Sequence, residues 1–370
     1  YNTNSSLFEN NTLYENNGDY SGFYVYSSID NLFYNHLINN NTADNSSSIF
    51  LSSSHNNTFT NTTSRNNTVS TSSPLNGRGA IGLYTSDNNI FTNTTLTNNS
   101  FYVGNNVYAS GTIGLYKSDN NTFTIATLAN NSVIVADNIW GGGILGLYSS
   151  DRNTFDTITL TNNTGSGYYI KGGVIMGLDT SKNNTLTSVT LDRNTVTTDD
   201  YVKGGGILGL NVADNNTFTT LILSNNTASI GGVINGGGII GLYSSADNNT
   251  FTTVTITNNT AMASSDINGG GTLGLSSTSS NIFTNTTLTN NTASAGSNIN
   301  GGGTLGIYNG ADNNIFTITT IYDNTVSASD ENSTVGLDGS GSNTFTNLNA
   351  TGDAEYIIHD NTGNSYPNYL

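Results

Sequence analysis

Three sets of residues able to do chemistry recur along the chain at a near-constant interval. Aspartates stand at Asp87, Asp119, Asp151, Asp214, Asp247 and Asp312, in a series interrupted by Lys182 and Ser279. Carboxylates stacked side by side can do acid/base work or share a hard cation, so Asp87, Asp119 and Asp151 form a candidate Ca²⁺ column. Aspartate in such a series also starts turns by bonding nearby backbone amides, and this reading competes with the first. The basic residues Arg65, Arg78, Arg152, Arg193, Lys117, Lys171, Lys182 and Lys203 do not gather with three acids in the sequence. His36, His55 and His359 fall in distant units, so neither a triad nor a histidine metal cluster is visible. With no cysteine, thiolate ligands, disulfides and a cysteine nucleophile are excluded. No catalytic residue is assigned, and the expected cofactor list is empty apart from Ca²⁺.

A second recurring set is aromatic. Tyr84, Tyr116, Tyr148, Tyr243 and Tyr308 each close a Gly-Leu or Gly-Ile segment, which predicts an outward stripe fitted to a neighbouring subunit or a sugar ring. Mutual stacking of these rings is the plainer reading.

A third set is hydroxylic. Thr95 with Thr97, Thr159 with Thr161, Thr255 with Thr257, and Thr287 with Thr289 flank inward apolar residues. Threonine is a common solvent-facing strand residue, and Ile222, Asp192, Ala129 and Tyr322 break the array.

Asparagine-x-Ser/Thr sequons number about twenty, near the number chance predicts in so Asn- and Thr-rich a chain. Those at Asn120, Asn130, Asn215, Asn225, Asn248, Asn258 and Asn290 precede corner residues and are the glycosylation candidates.

The elements that position these groups follow from the repeat. Phe33, Phe59, Phe91, Phe123, Phe155, Leu186, Phe218, Phe251, Phe283, Phe316 and Phe345 recur, mostly 31 to 33 residues apart, and Phe8 extends the series. An asparagine stands two residues before each except Phe8, where Ser6 departs, and these include Asn89, Asn121, Asn153, Asn216 and Asn249. A second stands eight after, with Asp353 in the last unit, and these include Asn99, Asn131, Asn163, Asn226 and Asn259. Asparagine suits tight corners, and amides stacked about 4.8 Å apart can hydrogen-bond in a ladder. Between the corners, Ile158 and Leu160 or Val189 and Leu191 alternate with polar residues, as in half-buried strands. A second strand, such as Leu145-Gly146-Leu147-Tyr148, precedes the first corner, and a Gly-rich corner such as Gly141-Gly142-Gly143 precedes that.

The expected fold is all-β: a right-handed parallel β-helix (β-solenoid) of about twelve coils with Asn ladders. Residues 1–75 are expected to form narrower coils, and 76–337 regular coils of about 32 residues with Gly-rich corners. Residues 338–370 then supply the last coil and a capping or subunit-joining strand around Glu355 to His359. A helical solenoid is disfavoured by Thr, Gly triplets and Asn pairs.

The strings Asp119-Asn120-Asn121-Thr122-Phe123 and Leu96-Thr97-Asn98-Asn99-Ser100 resemble the repeats of NosD-like and pectate-lyase-like β-helix proteins of bacterial and archaeal surfaces. That resemblance covers nearly the whole chain, but its motif specifies fold far more than function. It implies a carbohydrate-binding or polysaccharide-cleaving alternative, in which Asp, Arg and Lys cluster on one face. The Thr array similarly resembles the flat face of ice-binding β-solenoids, a second alternative.

Charge narrows the field further. Across 370 residues, 25 acids face 8 bases, a net charge of −17, so nucleic-acid binding is not expected. No apolar run reaches the roughly 18 residues of a membrane span. The chain opens on Tyr1 without a signal-like segment and is expected to be mature or trimmed. The leading expectation is an extracellular structural protein of a microbial, archaeal-like surface: a non-enzymatic subunit of a filament, sheath or surface layer, or an adhesin stalk. Its partners would be copies of itself, packed head-to-tail or laterally, together with carbohydrate or N-glycans.

Overall fold

The computed structural model describes residues 3–46, 48–329, 333–351, 356–360 and 364. Among these, every regular element is a β-strand, and the strands pair in parallel register from one coil to the next. The chain is a parallel β-helix with four sides.

The Phe sheet contains twelve successive strands from Leu7–Glu9 to Thr344–Ala350, with the short Thr12–Tyr14 beside the second. A third-side sheet of eleven strands runs from Asn17–Tyr20 to Thr325–Ser327. A short fourth sheet of eight strands runs from Leu75–Asn76 to Ile299–Gly302. The Leu sheet, of twelve strands, runs from Phe23–Tyr26 to Tyr356–Asp360. Among the described residues eight coils therefore carry all four sides, and complete turns are fewer than the twelve repeat units expected. The terminal strand pairs with its own last coil, Val335 opposite Ile358; Glu355 lies outside the described residues.

Register is set by identical residues on identical faces. Phe91 pairs with Phe123 and Leu96 with Leu128, so each coil places its apolar residues over those of the last. The phenylalanines stack inside the rod, with centroids 4.6 Å apart for Phe91 and Phe123 and 4.8 Å for Phe283 and Phe316, the planes within 5°. Leu186 interrupts this stack between Phe155 and Phe218.

The two asparagines of each corner pair do different work. Asn120 is exposed and holds the left-handed backbone at φ 56°, while Asn121 is fully buried. Asn121 Oδ1 accepts from the backbone N–H of Asn89 at 2.9 Å and from its Nδ2 at 3.1 Å; its own Nδ2 donates to the Ser86 carbonyl at 3.0 Å. A buried amide would cost about 1–3 kcal/mol per unpaired group; here stacking satisfies each one.

Two features were not anticipated. A serine ladder runs three residues ahead of the first Asn ladder: the N–H groups of Ser86, Ser118 and Ser150 donate to Oγ of Ser118, Ser150 and Ser181. The Phe strands also bend at their midpoint, where Asn93, Ile125, Thr157 and Thr220 adopt φ near +56°. That bend lets two outward residues follow one another, as at Asp156 and Thr157, before Ile158 turns in again.

Candidate functional site

The glycines of the Leu-sheet strands from Gly82 to Gly336 determine where the fourth sheet closes in, so that side chains of the two sheets converge, as Tyr108 does on Tyr148 and Lys203 on Tyr243. A Cβ on Gly146 would lie 2.5 Å from the Gly141 carbonyl oxygen and 2.8 Å from Ala109 Cα, so only glycine lets the fourth sheet's backbone close against it. Gly141 and Gly142 make that approach with φ of 70° and 103°. Side chains leaving the fourth sheet then face those leaving the Leu sheet across a groove along the rod.

Three zones follow along its length. In the first, Tyr84, Tyr116 and Tyr148 stack at 5.3 and 5.4 Å with planes within 3°. Tyr108 meets Tyr148 edge-on at 5.3 Å and lies 5.6 Å from Trp140.

The middle zone holds charge. Lys171 Nζ lies 3.9 Å from the Trp140 ring centre, and Lys203 Nζ lies within 5.8 Å of the Tyr169, Tyr201 and Tyr243 rings. In the column of Tyr84, Tyr116, Tyr148 and Tyr243 stand Asp179 and Asn211, 2% and 5% exposed. Asn211 Nδ2 donates to Asp179 Oδ1 at 2.9 Å. Burial pushes the Asp179 carboxyl up to about 6, opposed by the Asn211 hydrogen bond and the Lys171 charge. Burial also raises the phenols of Tyr169 and Tyr148, helped by neighbouring phenols and Asp179. The Tyr169 hydroxyl and the Trp140 indole N–H are buried and have no partner among the described residues. In the third zone, Asn235, Asn268 and Asn300 form an amide ladder at 3.0 and 2.9 Å.

The arrangement offers apolar ring surface, hydrogen-bond donors without partners, two ammonium groups and one carboxyl poised to exchange its proton at mildly acidic pH. Sequence reasoning named Tyr84, Tyr116 and Tyr148 but missed Asp179, Asn211, Lys171, Lys203, Tyr169 and Trp140. The signal was present: the Tyr column turns polar in two adjacent units, at Leu178-Asp179 and Leu210-Asn211. Tyr243 and Tyr308 stand in the same column but do not stack, because Ser276 separates them and Asn211 precedes Tyr243.

The Asp column lies elsewhere, at the corner between the Leu and Phe sheets. Oδ1 of Asp87, Asp119 and Asp151 accepts the backbone N–H of Asp119, Asp151 and Lys182, one coil on, at 2.7, 2.8 and 2.7 Å. Arg152 pairs with Asp119 Oδ2 at 3.0 Å and Lys182 with Asp214 Oδ2 at 2.7 Å. Half of each carboxylate in the candidate Ca²⁺ column thus serves the backbone. Burial, the largest influence, raises the Asp119 carboxyl. Among the described residues, no three His, Cys, Asp or Glu side chains come together as a metal site.

Asn120, Asn130, Asn215, Asn225, Asn248, Asn258 and Asn290 are all exposed left-handed corner residues. Their ladder partners Asn121, Asn131, Asn216, Asn226, Asn249, Asn259 and Asn291 are buried. The threonine faces lie on the outside of the Phe sheet, away from the groove.

No protein-family model matches the chain, and no curated protein matches it. Among solved structures, the A-module of mannuronan C-5 epimerase AlgE6 from Azotobacter vinelandii shares 10% identity, over 94% of this chain and 90% of that one, with a TM-score of 0.27. At that score the likeness carries no argument; the fold rests on the parallel strand pairing itself. The parallel β-helix is shown, whereas NosD-like or pectate-lyase-like membership is not. No helix among the described residues is long and apolar enough to cross a membrane.

Proposed function

We propose that this protein is a rigid extracellular rod that binds a linear carbohydrate chain along the groove between its Leu and fourth sheets. One observation supports the reading above others: aromatic, ammonium and amide side chains follow one another along the groove, one coil per step. The half-buried, stacked rings of Tyr84, Tyr116 and Tyr148 add phenol hydroxyls to this series. Amphipathic rings of this kind suit a ligand that is apolar on its ring faces and hydroxylated at its edges. The rod could display such a groove as an adhesin stalk or as part of a surface layer.

Native electrophoresis through gels containing hydroxyethylcellulose, galactomannan, alginate or polygalacturonate tests the reading. Retardation in at least one gel, reduced several-fold by W140A with Y169A, is expected. Unchanged mobility in all four would overturn it. Sizing the polysaccharide after incubation separates binding from cleavage.

A second reading concerns the opposite face, as an ice-binding surface. Beside the Thr pairs anticipated, the register creates further threonine files on both sides of the Phe stack. Thr122, Thr154, Thr185, Thr217 and Thr250 form one; Thr187, Thr219, Thr252, Thr284 and Thr317 form the other. Ile90, Ile282, Ile315 and Asp156 interrupt them. Thermal hysteresis of the purified protein decides this, and its absence at millimolar concentration excludes it.

A further inference from the structure

The middle of the groove contains opposed charges that do not form a close ion pair. Asp179 is 2% exposed and receives the Asn211 amide; a Cβ on Gly141 would lie 3.4 Å from its Cβ, and Trp140, next to Gly141, pairs in register with Lys171, whose charge favours the ionised carboxyl. Tyr148 from the preceding coil and Tyr169 from its own coil feel its charge; Tyr169 also feels that of Asp200, and the Lys203 ammonium lies 5.8 Å from the Tyr169 ring centre. Lys171 therefore has two attractions holding it: the Trp140 ring and the buried carboxylate. Its flexible stem and strong hydration favour release into water once one of them is lost.

We propose that Asp179 is a proton-operated latch on the groove: its negative charge holds the Lys171 ammonium against the Trp140 ring, and its protonation frees that ring face for a ligand. The identity of the ligand rests on the carbohydrate reading, but the latch itself does not. Protonated Asp179 also becomes a donor, so the floor of the groove gains an O–H at the moment its cover is released. A groove of this kind binds more strongly on the acid side of the Asp179 titration.

Trp140 is the sole tryptophan of the chain, so its fluorescence reports on this contact without any ligand. A pH titration of the full chain from 8 to 4 is expected to show one emission transition with its midpoint near 6, the value toward which burial moves Asp179. D179N should abolish the transition and give the acid-form spectrum throughout, with far-UV circular dichroism confirming that the coil persists. K171M, which keeps an apolar chain on the ring, should also abolish it. A flat wild-type titration, or the same midpoint in D179N, overturns the latch. If the transition is present while every polysaccharide gel is negative, the carbohydrate reading fails and the latch stands. Retardation in a gel with flat fluorescence means that the latch fails and carbohydrate binding stands.

Discussion

Asn211 donates its side-chain amide to the Asp179 carboxylate at 2.9 Å from the equivalent position one coil later, in a column where Tyr148 precedes the pair and Tyr243 follows it. A charge-bearing group has thus been set between neutral neighbours in its column, Tyr148 before it and Asn211 after. The energetic sign follows from burial.

Because the folded carboxyl of Asp179 is raised from 3.8 to about 6, the native state holds a proton that the unfolded chain has released between those values. This residue's contribution to stability therefore falls as pH rises from about 4 to 6, and stays low above that. The shift corresponds to about 3 kcal/mol. D179N should stabilise the protein by about 1–3 kcal/mol at pH 7.5 and by nearly nothing at pH 4. Urea unfolding of both proteins at the two pH values checks this; equal effects at both would show that Asp179 is not held neutral by burial.

The two residues of one corner pair should respond differently to alanine. N121A removes the acceptor of the Asn89 N–H and amide and the donor to Ser86, leaving buried groups unpaired at about 1–3 kcal/mol each. N120A strains a left-handed residue, at about 1 kcal/mol, and removes the exposed acceptor of Arg152 Nε at 3.0 Å, a solvated contact of small worth; N120G loses the same contact without the strain and should be near neutral. Denaturation midpoints of the three variants would contradict the division of roles if N120A were the more damaging.

Ile125 sits half exposed at φ 57°, a conformation disfavoured for a β-branched side chain. At the same bend one coil earlier, Asn93 bonds Asn61 at 2.8 Å. I125N should extend that exposed ladder and raise the melting temperature, with a gain of about 1 kcal/mol. A fall in melting temperature would place the value of Ile125 in surface packing instead.

At the seam where the fourth sheet begins, the Arg78 guanidinium lies 5.5 Å from the Phe50 ring and 6.0 Å from Tyr20, and donates to Asn45 Oδ1 at 2.6 Å. It covers the aromatic stack of the narrow coils. R78A should raise amide exchange in residues 17–52 while leaving exchange beyond residue 111 unchanged; protection equal to wild type throughout would show that the cover is dispensable.

How far the sequence is legible depends on whether a residue acts through its own column or across columns. Phe91 over Phe123 and Asn89 over Asn121 repeat one type at one interval, so their stacking could be read directly. The division between Asn120 and Asn121 could not, because the same residue type performs both tasks and only backbone conformation separates them. The midpoint bend shows in sequence only as two successive outward residues, such as Asp156 and Thr157. The groove was least visible. Lys171 and Asp179 are eight residues apart, and nothing local says that Gly172 and Gly173 fold the chain so that they approach. The scarcity of cations was plain, but not that two of the four lysines share one aromatic cluster.

The bonds of the two buried corner ladders all run one way, whereas those of the exposed ladders through Asn93 and Asn268 run the other. Asn89 donates to Asn121, Asn121 to Asn153 and Asn153 to Asn184, while Asn99 donates to Asn131 and Asn131 to Asn163. Backbone bonds between parallel coils alternate in direction and largely cancel, whereas these amide dipoles add, as peptide dipoles do in a helix. The buried ladders are therefore electrically directional: their ends toward residue 364 present partial positive charge and their ends toward residue 16 partial negative charge. Two such rods in one field, or end to end, are not equivalent when one is reversed.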